Sequence, residues 1–300
     1  MFKPIRSSVF SAAICLLLLT TGCSQISSMS NKGIPAGTPA NPQIQSPANP
    51  GQSANSQTMP SSPNTTSPDN NTPAALHVNR DLSIPVLYYH SVSTVPKNEI
   101  CMPPSEFEKQ MAYLSEQGYH TVSVTQIYDF FTGKGTLPDK PIAITFDDGY
   151  KDNYTNAFPT MKKYGFTGTI FVIAENIGSN NILTWDDLKA LIKEGWQIGG
   201  HSMTHVDLTK LDSPKLTEEV KNSKLSLEKK LEPIKSFCYP FGAYNAKVEK
   251  AVQDAGYLIG FTTDRGWADR KTDLLLQHRI YCFASMGMKE FEKRLQNPNY

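Results

Sequence analysis

The chain has 300 residues, a formal net charge of +1, 39% hydrophobic residues and 19% charged residues. These values exclude a collagen, a coiled coil, a polytopic membrane protein and a strongly basic nucleic-acid binder. Length alone would suggest two domains of about 150 residues each, but the averages mix unlike parts. Residues 24–79 carry only Lys32 and Asp69 as charged side chains, no Phe, Trp or Tyr, and nine of the 21 prolines. From Asp81 onward the chain carries 25 Lys plus Arg against 27 Asp plus Glu, so the foldable part is nearly neutral.

In chain order, Lys3 and Arg6 precede an apolar run at residues 9–19 that ends in Thr20-Thr21-Gly22-Cys23. The run is too short to span a bilayer core of about 30 Å and has the layout of a secretory signal peptide. Its Gly-Cys end resembles a bacterial lipoprotein signal, which implies cleavage after residue 22, lipid on Cys23 and an extracytoplasmic, membrane-anchored protein. A diacylglyceryl anchor would meet the need of stable anchoring for more than one acyl chain. Residues 23–79 read as an extended tether, because a Pro/Ser/Asn-rich stretch cannot bury enough surface to offset its ordering entropy. Residues 80–300 are then one folded domain. Cys15 leaves with the signal, and Cys101, Cys238 and Cys282 lack CxxC spacing, which points to small buried apolar residues.

The remaining periodicity alternates strand and helix. Strands are expected at residues 84–89, 119–124, 142–146, 166–173, 196–199, 236–240, 257–262 and 279–283. Helices are expected after a capping box at Ser105, then at 125–131, 153–164, 184–193, 214–231, 246–255 and 288–295. Strands separated by helices predict parallel βαβ units. About eight such units in roughly 220 residues predict an α/β fold, a (β/α) barrel with seven to eight strands, possible distortion and a single catalytic domain. A doubly wound open sheet is the runner-up. In a barrel, chemistry sits at the C-terminal strand ends.

Three strand ends carry the residues of interest. Thr145-Phe146-Asp147-Asp148-Gly149 places two adjacent carboxylates at the end of a buried strand, where they are costly unless a cation compensates them. A turn with solvated aspartates fits the residues equally well. His201-Ser202-Met203-Thr204-His205 puts two histidines at i and i+4, able to share one face of a helical turn and one metal. Two histidines and a carboxylate make a facial site with open positions, for zinc by default and other divalent metals such as Co or Ni. Phe237-Cys238-Tyr239-Pro240-Phe241-Gly242 supplies rings that could floor a sugar subsite, or simply pack.

Together these segments resemble the polysaccharide deacetylase family, the NodB-homology domain of carbohydrate esterase family four, across residues 84–283. The resemblance implies Asp147 as general base and Asp148, His201 and His205 as metal ligands. It implies that the Phe241 backbone N–H holds the oxyanion, and that His278 of Leu276-Gln277-His278 is the general acid. Tyr239, Pro240 and Trp267 would bind substrate. The family's third-motif arginine falls at Cys238, and Arg279 is offered as its replacement. Tyr88-Tyr89-His90-Ser91 is similar to a branch that includes poly-N-acetylglucosamine deacetylases, which puts His90 at the site. The expected activity is removal of acetate from an N-acetylated envelope glycan by a monomer that binds no nucleic acid. Rival readings are an O-acetyl xylan or other ester or amide hydrolase on the same scaffold, and a non-catalytic carbohydrate-binding module.

Overall fold

A computed structural model describes residues 81–300; the signal, Cys23 and the tether lie outside the described residues. The strands are β1 (Val86–Tyr89), β2 (His120–Thr121), β3 (Pro141–Phe146), β4 (Thr169–Val172), β5 (Gln197–Gly200), β6 (Ser236–Cys238), β7 (Ile259–Arg265) and β8 (Gln277–Tyr281). The α-helices are α1 (Pro104–Glu116), α2 (Val124–Phe131), α3 (Phe158–Lys163), α4 (Trp185–Lys193), α5 (Ser213–Glu228), α6 (Ala246–Asp254) and α7 (Met288–Gln296).

All strand pairings are parallel, and β1 pairs with both β3 and β8. The sheet therefore closes as a seven-stranded barrel in the order β1-β3-β4-β5-β6-β7-β8, wrapped by helices. The expected strand at 119–124 shrinks to β2 because β4 takes most of that edge of β3. Only Pro141 and Ile142 are left for His120 and Thr121.

Alternation along the strands sorts side chains into two cores. Val86, Ala143, Phe171, Cys238, Ile259 and Phe261 form one buried cluster that fills the lumen. Leu87, Ile144, Phe146, Ile170, Val172, Phe237 and Ile280 belong to a second cluster between strands and helices. Each fully buried large apolar side chain contributes about 1.5–3 kcal/mol, so both faces of the sheet are committed, as parallel sheets require. The same alternation sends Thr145 and Asp147 inward with Ala143, and Arg279 inward as well.

Helix starts follow local chemistry. Capping boxes form at Ser123/Gln126 and at Thr184/Asp187. The expected box at Ser105 does not form, because α1 begins two residues earlier than that cap requires, at Pro104, whose missing N–H costs nothing in a first turn. The expected helix at 153–164 is interrupted: Asn153–Ala157 is a wide π turn, and α3 starts at Phe158 ahead of Pro159.

Candidate active site

The ends of β1, β3, β5 and β6 meet over the lumen. Asp147 and Asp148 follow β3, and Gly149, with φ of 78°, turns the chain away. Asp147 is 3% exposed, and it is compensated by one residue. Arg279, fully buried, donates from Nη1 to Oδ1 and from Nη2 to Oδ2, both at 2.8 Å. Arg279 also donates to the Thr262 carbonyl at 3.0 Å and to Thr145 Oγ1 at 3.1 Å, and lies 4.2 Å from the Tyr88 ring centroid. Burial alone would raise the Asp147 carboxyl, but the charge and two hydrogen bonds of Arg279 outweigh it and hold the group well below the usual carboxylate range. Cys238 Sγ accepts from Arg279 at 3.1 Å and donates to Asp147 at 3.5 Å. Burial pushes this thiol up, so it keeps its proton. Arg279 thus fills from β8 the place left by the small side chain at Cys238.

Asp148 is the other half of the carboxylate pair. Its Oδ1 lies 3.4 Å from Nε2 of His201 and 3.4 Å from Nε2 of His205, and it is a buried acceptor without a hydrogen-bond partner. His201 is fixed by a 2.7 Å contact from Nδ1 to the Cys238 carbonyl. That bond assigns a proton to Nδ1 and turns Nε2 toward Asp148, the orientation that metal-binding histidines use. Burial first, then the charge of the His201 ring, holds His205 below the ordinary histidine value, so its ring is neutral; at His201 burial pulls the same way but is outweighed by Cys238, Asp148 and Asp147, which raise that ring well above the ordinary value. Two histidine nitrogens and one unpartnered carboxylate oxygen around one point fit a divalent cation, which would replace the proton that the neighbouring carboxylates favour on His201. Asp147, His201 and Cys238 also lie close together, but the Arg279 guanidinium beside them excludes a cation there.

The two histidines do not sit on a helical turn as expected. Residues 201–205 form a loop in which Ser202 and His205 have φ of 63° and 61°, and Ser202 Oγ accepts the His205 N–H at 2.9 Å. Seven described non-glycine residues have positive φ, and four of them, with Asp148 and Phe241, are at this site. Strain held in this way concentrates where function over-determines the backbone.

Phe241, at φ of 59°, is 65% exposed, and its ring lies 4.5 Å from that of His205. Gly242 follows with φ of 68°, where a Cβ would collide with Thr263. His90, at the end of β1, has a buried Nδ1 with no partner. Burial lowers it below the ordinary histidine value, while the charges of Asp147 and Asp148 pull it back. Its carbonyl accepts from Asn153 Nδ2 at 2.7 Å, and Asp152 accepts from Ser91 Oγ at 2.6 Å and the Val92 N–H at 2.8 Å.

Four expected site residues lie elsewhere. His278 alternates with Arg279 and therefore faces outward with Ile280, against Gly266 rather than the lumen. It cannot serve as the acid at this site. Trp267 donates its indole N–H to the Arg294 carbonyl at 2.9 Å and packs toward α7. Tyr239 faces outward with Phe237 and is fully buried, and Pro240 is buried too, so neither presents a surface to a sugar. Asp152, Asn153 and Tyr150, whose hydroxyl burial and Asp148 push up to about 12, were not anticipated. The only available signal was their position directly after Asp148-Gly149.

Comparison with known proteins places this geometry. The sequence model of a family described as polysaccharide deacetylase matches residues 134–260, which include every strand end of the site except that of β1. The protein YxkH of Bacillus subtilis (strain 168), named for the same family, is 33% identical over 224 residues, 74% of this chain and 80% of its own length. A poly-β-1,6-N-acetyl-D-glucosamine N-deacetylase of Staphylococcus aureus is 27% identical over 193 residues, 59% of this chain and 66% of its own length. Among solved structures, the Streptococcus pyogenes deacetylase PplD in complex with acetate superposes with a TM-score of 0.69 at 28% identity, covering 72% of this chain and 100% of that one. With one relative a third identical over most of its length, and the matched segment running through Asp147, Asp148, His201 and His205, this chain belongs to the polysaccharide deacetylase family.

Proposed function

We propose that the chain is a metal-dependent N-deacetylase of an N-acetylglucosamine polymer of the bacterial envelope, with β-1,6-linked poly-N-acetylglucosamine and peptidoglycan as the substrate candidates. The carrying observation is the unpartnered Asp148 oxygen between two histidine nitrogens, beside an aspartate already neutralised by arginine. Asp148, His201 and His205 would hold the ion, zinc by default. When bound, a divalent cation polarises a carbonyl and lowers the pKa of nearby water.

The chain's own groups account for the proton transfers. Asp147 is ionised at any working pH and takes the proton of the attacking water. Once protonated, it is a strong acid, because Arg279 stabilises only its anion. His90, neutral at rest and with a free Nδ1, receives that proton and delivers it to the departing amine. The Phe241 N–H is assigned to the developing oxyanion, and its exposed ring to the sugar face. Acetate leaves, and the polymer gains a positive charge for each amine freed.

The proposal extends to location: a cleaved signal at 1–22, lipid on Cys23 and a tether through residue 79 would hold a monomeric domain outside the membrane. Acetate release from β-1,6- and β-1,4-linked N-acetylglucosamine oligomers, before and after metal chelation, tests the reading. Release from one series that chelation abolishes supports it. Release that chelation leaves intact, or no release from either, refutes it.

A further inference from the structure

The loop that carries both histidines is strained at two residues, so something must hold it. Its first N–H, on His201, donates to the Val172 carbonyl at 3.0 Å, and its last, on His205, to Ser202 Oγ at 2.9 Å. Of the three N–H groups between, those on Met203 and Thr204 both donate to one oxygen of Glu219, each at 3.0 Å. Thr204 Oγ1 donates to the other oxygen at 2.6 Å. Three hydrogen bonds to one carboxylate thus fix the segment that sets the separation of His201 from His205.

Glu219 comes from a rigid element. It sits in the middle of α5, at the edge of the face that buries Leu216, Val220, Ser223 and Leu227. Ser223 is also hydrogen bonded to the Tyr257 hydroxyl at 3.0 Å. Hydrogen bonds to an ionised acceptor are about twice as strong as neutral ones. Without the carboxylate, Ser202 and His205 would be free to leave the left-handed region, at φ of 63° and 61°, and the His205 ring would swing away from Asp148.

We infer that Glu219 is a positioning residue for the metal site, acting through the backbone of Met203 and Thr204 to hold His205 against Asp148. The inference rests on the reading that Asp148, His201 and His205 bind a divalent ion. Residues that orient metal ligands typically change metal affinity about 10–100-fold when removed.

The test is Zn2+ affinity, measured by competition of the metal-loaded protein with a chromophoric chelator. Glu219→Ala should weaken Zn2+ binding by about 10–100-fold, with kcat restored at saturating Zn2+. Glu219→Gln should bind near the native level, because the amide oxygen can accept both N–H groups while the Thr204 hydroxyl reverses its role. A role confined to folding would lower the thermal midpoint without moving the Zn2+ constant, and a native constant in Glu219→Ala overturns the inference. Should the alanine variant fail to fold, Thr204→Val removes the 2.6 Å bond alone. It should weaken binding in the same direction, and an unchanged constant there also overturns the inference. A native protein that takes no Zn2+ from the chelator refutes the metal reading, and this inference with it.

Discussion

Replacing Arg279 with methionine keeps an unbranched apolar stem in place of the arginine's and removes its charge and its hydrogen-bond donors. In the native protein both partners are buried, Arg279 completely and Asp147 to 3% exposure, and two 2.8 Å bonds join them. Removing one member of a buried pair costs about 3–5 kcal/mol, because the other charge is left uncompensated in a poorly solvated place. Typical domains unfold at about 5–15 kcal/mol, so the variant should still fold. Asp147 then responds by holding a proton, since burial now raises its carboxyl unopposed. The sign of the pH dependence follows. The native Asp147 lies below its unfolded value, so the pair's stabilisation is present above about pH 4 and is lost as pH falls further toward the native value. The stability gap between native and variant should therefore be full at neutral pH and narrow on acidification. Denaturant unfolding at both pH values reads this directly. Loss of a working base should also lower kcat by about 10²–10⁴-fold at neutral pH. Adding Cys238→Arg to Arg279→Met returns a cation to Asp147 from β6 and should recover part of that loss. A gap within about 0.5 kcal/mol, the usual range for surface changes, together with an unchanged kcat, would refute the assignment of Arg279.

His90 must be neutral to accept the proton from Asp147, so kcat/KM should rise with pH through a value below the ordinary histidine range. His90→Asn should remove that limb and lower kcat while metal stays bound, whereas His278→Ala should leave both the limb and kcat in place, since His278 faces the outside of the barrel. Phe241→Ala should raise KM with little change in Zn2+ affinity, because it removes an exposed ring and leaves the backbone N–H; an unchanged KM would take the ring out of the sugar site.

The barrel was legible because its strands are short apolar runs between helices with clear starts, as at Ser123 and Thr184. Asp147, Asp148, His201 and His205 were legible because consecutive residues at strand ends carry them. Two of the misplaced residues share a physical cause. His278 and Tyr239 are expected at the site through short family motifs, but a one-residue step along a strand reverses the face, and Arg279 rather than His278 enters the lumen. Tyr239 is the outward neighbour of Cys238 for the same reason. The partnership of Arg279 with Asp147 spans 132 residues and is signalled in the sequence only by the missing arginine at Cys238; that of Glu219 with Thr204 spans 15, and nothing local announces it. The HxxxH spacing suggested a helical turn, whereas two left-handed residues make the convergence.

The most direct test compares native protein with Asp147→Asn, both loaded with Zn2+, for acetate release from N-acetylglucosamine oligomers, with bound metal measured in the same samples. The account predicts equal Zn2+ content, release by the native protein and none by the variant. Release by Asp147→Asn at the native rate would contradict it.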